Sequence, residues 1–181
     1  MAARAAVELE ELLGRMENGS VPSDSKSRSE VIDRVAKLFG VKEDEVAIME
    51  LAPSGRTLRF VMPEKLRQVG SIPISSNTAL ASRTARERRS DIINNFSSAR
   101  HASVFEAVPL GRNPDEAIQK IMSAPILSGE AVIGVAQICR KGASPMTAGP
   151  DFNSRDLSEL NGINQTLCRF LALCRNTEAA D

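Results

Sequence analysis

The stretch Pro125–Lys141, PILSGEAVIGVAQICRK, decides the fold because its pattern predicts a tight β-hairpin. Residues 126–127 end one strand, residues 128–130 (Ser-Gly-Glu) supply the turn, and residues 131–139 form a return strand rich in β-branched side chains. Both faces of the return strand are apolar and Gln137 is its one polar side chain, which is typical of a strand at the centre of a sheet covered on both sides. The rest of the chain must therefore supply two covering layers.

The alternation of side chains along the return strand assigns each residue to one of these layers. One face is predicted to carry Val132, Gly134, Ala136 and Ile138. The other is predicted to carry Ile133, Val135 and Cys139. Glycine inside a strand lowers stability through backbone entropy, so we expect another group to approach the backbone closely at Gly134.

Composition places the chain among ordinary intracellular domains. Its 181 residues, 42% of them hydrophobic, suit one domain with terminal extensions. The 23 basic and 23 acidic side chains cancel, which disfavours a nucleic-acid or membrane partner. No apolar run approaches the roughly 20 residues of a membrane helix, and the amino terminus does not resemble a signal peptide. Three cysteines without a CxxC pair favour the reducing cytoplasm.

The first forty residues predict two helices. Residues 1–18 predict either a packed amphipathic helix or a frayed tail, and residues 20–29 a Ser/Pro linker. Ser27 and Glu30 fit a capping box that opens a second helix, which Gly40 ends. That helix is expected to cover one face of the sheet.

The middle of the chain predicts further strands and one helix. Three strands are expected before residue 75, the last an edge strand containing a proline, and then a helix capped within residues 75–77 and running to residue 88. A short strand at residues 91–93 precedes an irregular stretch, residues 96–115, typical of a functional lid or of disorder. A helical restart is predicted over residues 115–122.

The last helix is predicted to begin at Asn153 or Ser154 and to carry an apolar stripe. The stripe either packs on the sheet beside the first helices or forms the seam of a homodimer. Its residues recur at intervals of three and four: Leu157, Leu160, Ile163, Leu167 and Leu171.

Four local patterns together resemble the GAF domain family. They are the helix-then-strand segment at residues 80–93, the Ser-x-Pro entry at residues 121–126, the Gly-Val-x-Gln strand at residues 132–138, and Phe152 with Asp156 before the last helix. The resemblance implies an α+β fold, with terminal helices on one face of a central antiparallel sheet and a lidded ligand pocket on the other. It divides the chain into residues 1–26 (helix and linker), 27–175 (GAF-like domain) and 176–181 (disordered tail).

Departures from the family patterns disfavour its best-known ligands. The cyclic-nucleotide set resembles Lys141, Phe152 and Asp156 here, but its Asn and Glu are missing. No cysteine lies in the lid or the helix at residues 75–88, which disfavours a covalent bilin, and the cysteines lack the clustering of the sulfoxide-reducing members. No cofactor is therefore evident, and haem is disfavoured as well.

Five residues are candidate ligand contacts, each with an ordinary structural alternative. Ser76, Asn94 and Asn95 lie at expected element ends near the pocket rim, where they contact a small polar ligand or serve as caps and turns. His101 and Glu106 lie in the lid. His101 is either a haem or iron ligand or an exposed histidine, and Glu106 either binds a ligand amine or is a surface acid.

Other chemistry finds no support in the sequence. A single histidine with scattered cysteines does not build a zinc site, and no phosphate loop or catalytic triad is present. A basic cluster near residue 86 suggests either phosphate contacts or a solvated helix end, and the absence of interleaved aromatics favours the latter. Its members are Arg83, Arg86, Arg88 and Arg89.

These patterns together predict a cytoplasmic, non-catalytic sensory or regulatory domain. It is expected to bind an unidentified small molecule and to signal through its terminal helices as a homodimer. A ligand-free dimerisation or docking module of the same fold is the alternative.

Overall fold

A computed structural model describes residues 2–68, 70–96 and 117–178, with side chains described to residue 175. Six strands form one sheet in the order β3-β2-β1-β6-β5-β4, and every pair of neighbours is antiparallel. This confirms the predicted central antiparallel sheet. The strands are β1 (Val46–Leu51), β2 (Thr57–Met62), β3 (Ser71–Pro73), β4 (Asp91–Ile93), β5 (Ile118–Ser128) and β6 (Ala131–Lys141).

Helices cover both faces of the sheet within the described residues. Four of them pack on one face, which we call the helical face, and a single one, α3, lies on the opposite α3 face. Short 3-10 turns at Glu43–Glu45 and Glu64–Leu66 precede β1 and follow β2. The helices are α1 (Ala2–Glu17), α2 (Ser25–Phe39), α3 (Leu80–Glu87), α4 (Ser154–Gly162) and α5 (Asn164–Glu178).

Strand β6 lies between two separate apolar cores. Ala136 and Ile138 belong to the core of the helical face, and Val135 and Cys139 to the core of the α3 face. All four side chains are buried. The prediction of a return strand covered on both sides is therefore confirmed.

The predicted faces of two residues near the hairpin turn are wrong. Val132 packs against the core of the α3 face and Ile133 against the core of the helical face. The cause is a register shift in the hairpin, where Ile126 pairs with Gly134 but Leu127 pairs with Val132. The extra residue in β6 exchanges the faces of the residues beyond it.

The close approach expected at Gly134 is observed from two directions. A β-carbon added there would lie 2.3 Å from the carbonyl oxygen of Met49 in β1 and 2.7 Å from Cδ1 of Leu171 in α5. Helix α5 therefore packs directly on the backbone of β6, at a spacing that excludes any side chain.

Helix α2 begins earlier than predicted. Its N-cap is Asp24, whose carboxylate accepts a hydrogen bond from the backbone N–H of Ser27 at 2.9 Å. The predicted capping box of Ser27 and Glu30 is wrong because a carboxylate three residues upstream already satisfies the free amide. The predicted stop at Gly40 is confirmed by its left-handed backbone, with φ of 61°.

The predicted helical restart before the hairpin is also wrong, because residues 118–122 open β5. Ile118, Ile121 and Met122 have helical spacing, but β4 and β6 pair with this segment on both sides and bury it. The polar residues between them have partners in the loop that follows β6. Gln119 Nε2 donates to the carbonyl of Gly142 at 2.7 Å, and Lys120 Nζ donates to the carbonyl of Gly149 at 2.7 Å.

The single terminal helix predicted after residue 153 is two helices, although its predicted cap at Asn153 is confirmed. At the break, the Asn164 amide accepts from the N–H of Leu127 at 3.1 Å and donates to the carbonyl of Pro125 at 2.7 Å. These two bonds fix the start of α5 on the hairpin. The same helix continues to Glu178, three residues into the predicted tail.

Helix α1 is a packed helix and not a frayed tail. Its stripe of Leu9, Leu12, Leu13 and Met16 belongs to the core of the helical face, so residues 1–26 share a core with the rest of the chain. Helix α1 packs on α2 and α5, and so lies over the helices that cover the sheet.

An ion-pair network, which we call the clamp, joins α1 to α5 at the surface. Arg169 donates to both carboxylate oxygens of Glu17, at 2.6 and 2.8 Å, and to Oε2 of Glu10 at 2.6 Å. The Thr166 hydroxyl donates to the other oxygen of Glu10. The Thr166 hydrogen bond, followed by Arg169, holds the pKa of Glu10 below its usual value, and Arg169 does the same for the pKa of Glu17.

Replacing the charged side chain of Arg169, at the centre of the clamp, tests how much the clamp contributes to stability. A carboxyl whose pKa is lower in the folded state than in the unfolded state stabilises the fold. The contribution is complete at pH values above the unfolded-state pKa and disappears as the pH falls through the folded-state pKa. We expect Arg169→Gln to lower the free energy of unfolding by about 0.5–1 kcal/mol at neutral pH, a range typical of exposed pairs. Urea unfolding should show the difference between the wild type and the variant shrinking as pH falls below the ordinary glutamate pKa of about 4.3. A constant difference across this pH range would contradict the account.

Adding a methyl group at Gly134 tests the packing of α5 on β6. We expect Gly134→Ala to lower the free energy of unfolding by about 2–3 kcal/mol, because β1 or α5 must move outward to admit the β-carbon. Urea unfolding followed by circular dichroism measures the change. Gly162→Ala is the matched control, since no atom lies within 4 Å of a β-carbon built there. Equal losses in the two variants would contradict the close packing.

Candidate functional site

A buried polar network lies on the α3 face, beneath helix α3. Ser123 of β5 and Gln137 of β6 lie directly opposite each other on adjacent strands, and Gln137 Nε2 donates to Ser123 Oγ at 3.3 Å. Thr84 of α3 reaches the same hydroxyl, with an Oγ1–Oγ distance of 2.7 Å. All three side chains are at least 95% buried, with relative exposures of 0–4%. The one polar residue of the return strand therefore connects the sheet to α3.

The surroundings of this network determine which ligands suit it. Apolar side chains of both strands flank it, among them Ile121, Val135 and Cys139. Its members are neutral hydroxyl and amide groups, which both donate and accept hydrogen bonds. A few polar groups in an apolar wall are the usual composition of a small-molecule pocket. The three members of the network include no carboxylate, imidazole or amine, the groups that most often act as general acid or base.

The structure gives the predicted contact Ser76 a role at the start of α3. Its hydroxyl oxygen accepts from the N–H of Ala79 at 3.2 Å, while the N-cap residue Ala79 makes no side-chain cap bond. The sequence predicts that a side chain within residues 75–77 caps this helix, and this is correct in part. Ser76 does satisfy a backbone amide, but the amide is that of Ala79, the residue just before the helix.

Asn94 holds the loop that precedes the terminal helices. Its amide accepts from the N–H of Phe152 at 2.9 Å and donates to the carbonyl of the same residue at 2.9 Å. Asn95 follows it and is exposed. The two remaining candidates, His101 and Glu106, lie outside the described residues.

The candidates predicted at the pocket rim do not converge. Ser76 follows β3 and Asn94 follows β4, and these strands form the two opposite edges of the sheet. Five strand spacings of about 4.8 Å separate the edges, or roughly 24 Å. The network of Thr84, Ser123 and Gln137 lies between them. Sequence reasoning missed Thr84 and Ser123, and the only signal was the isolated polarity of Gln137.

The predicted stripe of the terminal helices lies on the helical face. Leu160, Ile163, Leu167 and Leu171 are buried in its core, and Leu157 packs against that core while partly exposed. The stripe therefore packs within the chain, with Leu171 at the backbone of Gly134.

A second contact near the end of α5 was not visible in the sequence. The Glu50 carboxylate of β1 is only 8% exposed and accepts from Arg59 at 2.9 Å and from Arg175 of α5 at 3.0 Å. Arg175 also donates to the carbonyls of Leu51 at 3.2 Å and Ile133 at 3.3 Å. This cluster, the α5 latch, fixes the end of the last helix to β1 and β6.

The basic cluster near residue 86 makes local contacts. Arg83 pairs with Asp91 at 2.6 Å, Arg89 pairs with Glu87 at 3.4 Å, and Arg88 donates to the carbonyl of Glu130 at the hairpin turn. Arg88 also ends α3 in the left-handed conformation, with φ of 52°. These contacts are those of a helix end packed beside a hairpin.

The described residues contain no group of three or more side chains that could hold a metal ion. None of the three cysteines forms a disulfide, and the sheet separates Cys139 from the other two. Cys139 is buried on the α3 face, whereas Cys168 and Cys174 lie on α5 at the helical face. Within the described ranges, no helix has both the length and the apolar character needed to cross a membrane.

Comparison with known proteins identifies the fold. No protein-family model and no curated protein sequence matches the chain. Three similar solved structures each span nearly the whole chain. The GAF domain of an Acinetobacter phosphoenolpyruvate-protein phosphotransferase has a TM-score of 0.65 at 15% identity and covers 98% of this chain and 96% of its own. The GAF domain of A. aeolicus nlh2 in an inactive state has a TM-score of 0.60 at 18% identity, covering 95% and 96%.

The third structure is an enzyme. Free methionine-R-sulfoxide reductase from Neisseria meningitidis, in complex with its substrate, has a TM-score of 0.58 at 14% identity and covers 96% of this chain and 93% of its own. Identities this low show the fold alone. From its sheet, its helical layers and these likenesses, the chain has the GAF domain fold.

Proposed function

We propose that the chain is a non-catalytic sensory or regulatory domain of the GAF type. In this proposal a small polar molecule binds on the α3 face, near Ser123 and Gln137, and the terminal helices carry the effect to a partner. The similar solved GAF domains, which include a domain described as in an inactive state, support a regulatory role.

The observation that carries the proposal is the shared strand β6. Gln137 faces the network under α3, while the backbone of Gly134 three residues earlier is in contact with Leu171 of α5. The carbonyl of Ile133 accepts a hydrogen bond from Arg175 of the same helix. Because Gly134 has no room for even a β-carbon between Met49 and Leu171, we expect a displacement of β6 by a ligand to be followed by α5. Such coupling is typically worth about 1–3 kcal/mol.

The positions of the cysteines support a role without catalysis. A thiol-based reductase needs cysteines that reach one another and the substrate, but the sheet lies between Cys139 and the two cysteines of α5. The neutral network also lacks a titratable group for acid–base chemistry.

The proposal includes a homodimer in the cytoplasm that forms through the outer surfaces of the terminal helices, with neither nucleic acid nor membrane as a partner. The inner stripe of these helices is already buried, so the outer surfaces are the part left for a second copy. Val7 of α1, at 57% exposure, is one of the two large hydrophobic side chains that are exposed among the described residues.

A ligand screen with variants on both sides of β6 tests this function. The chain has no Trp or Tyr, so thermal unfolding is best followed by circular dichroism, with amino acids, nucleotides and small organic acids as the panel. A ligand at 100 times its Kd should stabilise the fold by about 2.7 kcal/mol and raise Tm by roughly 5–10 °C. In Gln137→Leu, adding the ligand should no longer raise Tm above that of the ligand-free variant. In Arg175→Gln, the ligand should still raise Tm.

Sedimentation velocity on the same samples measures dimerisation, the property that the ligand is proposed to change. The wild type should form a dimer whose dissociation constant changes when the ligand is present, and Arg175→Gln should remove that change while still binding. If no compound of a broad panel raises Tm, the ligand-free docking module is the better account. A shift that survives Gln137→Leu would move the ligand away from the network.

A further inference from the structure

A groove at the β3 edge of the sheet is separate from the buried network. It has a volume of about 490 Å³ and lies where the β1–β2 turn, the end of β3 and helix α3 meet. Five residues line it, two of them arginines: Gly55, Arg56, Ile74, Ser75 and Arg86. No carboxylate is among them.

The backbone of Ile74 bonds to the main chain of Arg56 and to the guanidinium of Arg86. Its N–H donates to the carbonyl of Arg56 at 2.9 Å, and its own carbonyl accepts from Nη1 of Arg86. The same nitrogen of Arg86 donates to the carbonyl of Ser76 at 2.7 Å. Because these bonds use only Nη1, the remaining N–H groups of the Arg86 guanidinium are left for a ligand.

The charge of this pair is not neutralised locally. Neither Arg56 nor Arg86 forms an ion pair within the described ranges, and the acids beside α3 are already paired, Glu87 with Arg89 and Asp91 with Arg83. The chain as a whole has no net charge, so the groove is a local concentration of positive charge.

We propose that this groove binds the phosphoryl group of a small soluble molecule. Guanidinium groups bind phosphate through paired N–H donors, and two of them match the charge of a phosphate dianion better than that of a single carboxylate. The groove is within the size range of small-molecule sites. Its ligand is independent of the one proposed for the α3 face.

An amide NMR titration of the full chain with inorganic pyrophosphate at constant ionic strength tests the site. We expect saturable shifts at Gly55, Ile74 and Ser75, and about tenfold weaker binding in Arg56→Gln, since a charge-assisted hydrogen bond is lost. Arg15→Gln is the matched control, because it makes the same charge change at an exposed position on α1. Its affinity should equal that of the wild type.

Arg86→Gln serves as a second variant and should also weaken binding about tenfold, although it removes bonds that hold α3 to β3 as well. Non-saturable shifts, or an equal weakening of binding in Arg15→Gln, would show that pyrophosphate is attracted by general surface charge and would overturn the site. Acetate binding as tightly as pyrophosphate would overturn the phosphoryl assignment. We expect the chain to stay in the supernatant when it is sedimented with phosphatidic acid vesicles. Pelleting with the vesicles would mean that the phosphoryl group belongs to a lipid headgroup and not to a small soluble molecule.

Discussion

The contact of helix α5 with the bare backbone of β6 at Gly134 is the constraint on which the structure depends. Any β-carbon there would meet the carbonyl of Met49 and the side chain of Leu171, so the spacing of helix and strand is set by main-chain atoms. Arg175, one helical turn after Leu171, then reaches the carbonyl of Ile133 and the buried carboxylate of Glu50. The last helix is thus held to the two central strands by packing and by a charge-assisted cluster together.

The two faces of the sheet have different chemistry, which separates their roles. The helical face has the larger apolar core, and the clamp and the α5 latch are the charged clusters that hold its terminal helices. The α3 face instead contains neutral hydrogen-bonding groups within its core. Unpaired buried polar groups are costly, so a network that a ligand enters must exchange one set of hydrogen bonds for another. In the proposed function, this exchange of hydrogen bonds is what selects a neutral ligand.

The hairpin made most of the fold predictable, because the apolar character of both faces of β6 requires two covering layers wherever the other elements lie. Register and distant pairs were not predictable. The extra residue of β6 at Ile133 has no sequence signal. The start of β5, residues 118–122, was predicted as helix because Ile118, Ile121 and Met122 have helical spacing, and a strand buried on both faces need not alternate. Thr84 meets Ser123 across 39 residues and Glu50 meets Arg175 across 125, so only the folded chain brings them together. The exception was Gln137, whose isolation in an apolar strand marked the network.

Native-state hydrogen exchange tests most directly the claim that β6 is locked between two layers. The account predicts that the amides of residues 135–138 exchange only through global unfolding, together with those of α5 around Leu171, whereas Ile72 in edge strand β3 exchanges faster through local opening. Exchange of residues 135–138 as fast as that of Ile72, or opening of α5 without loss of protection in β6, would contradict it.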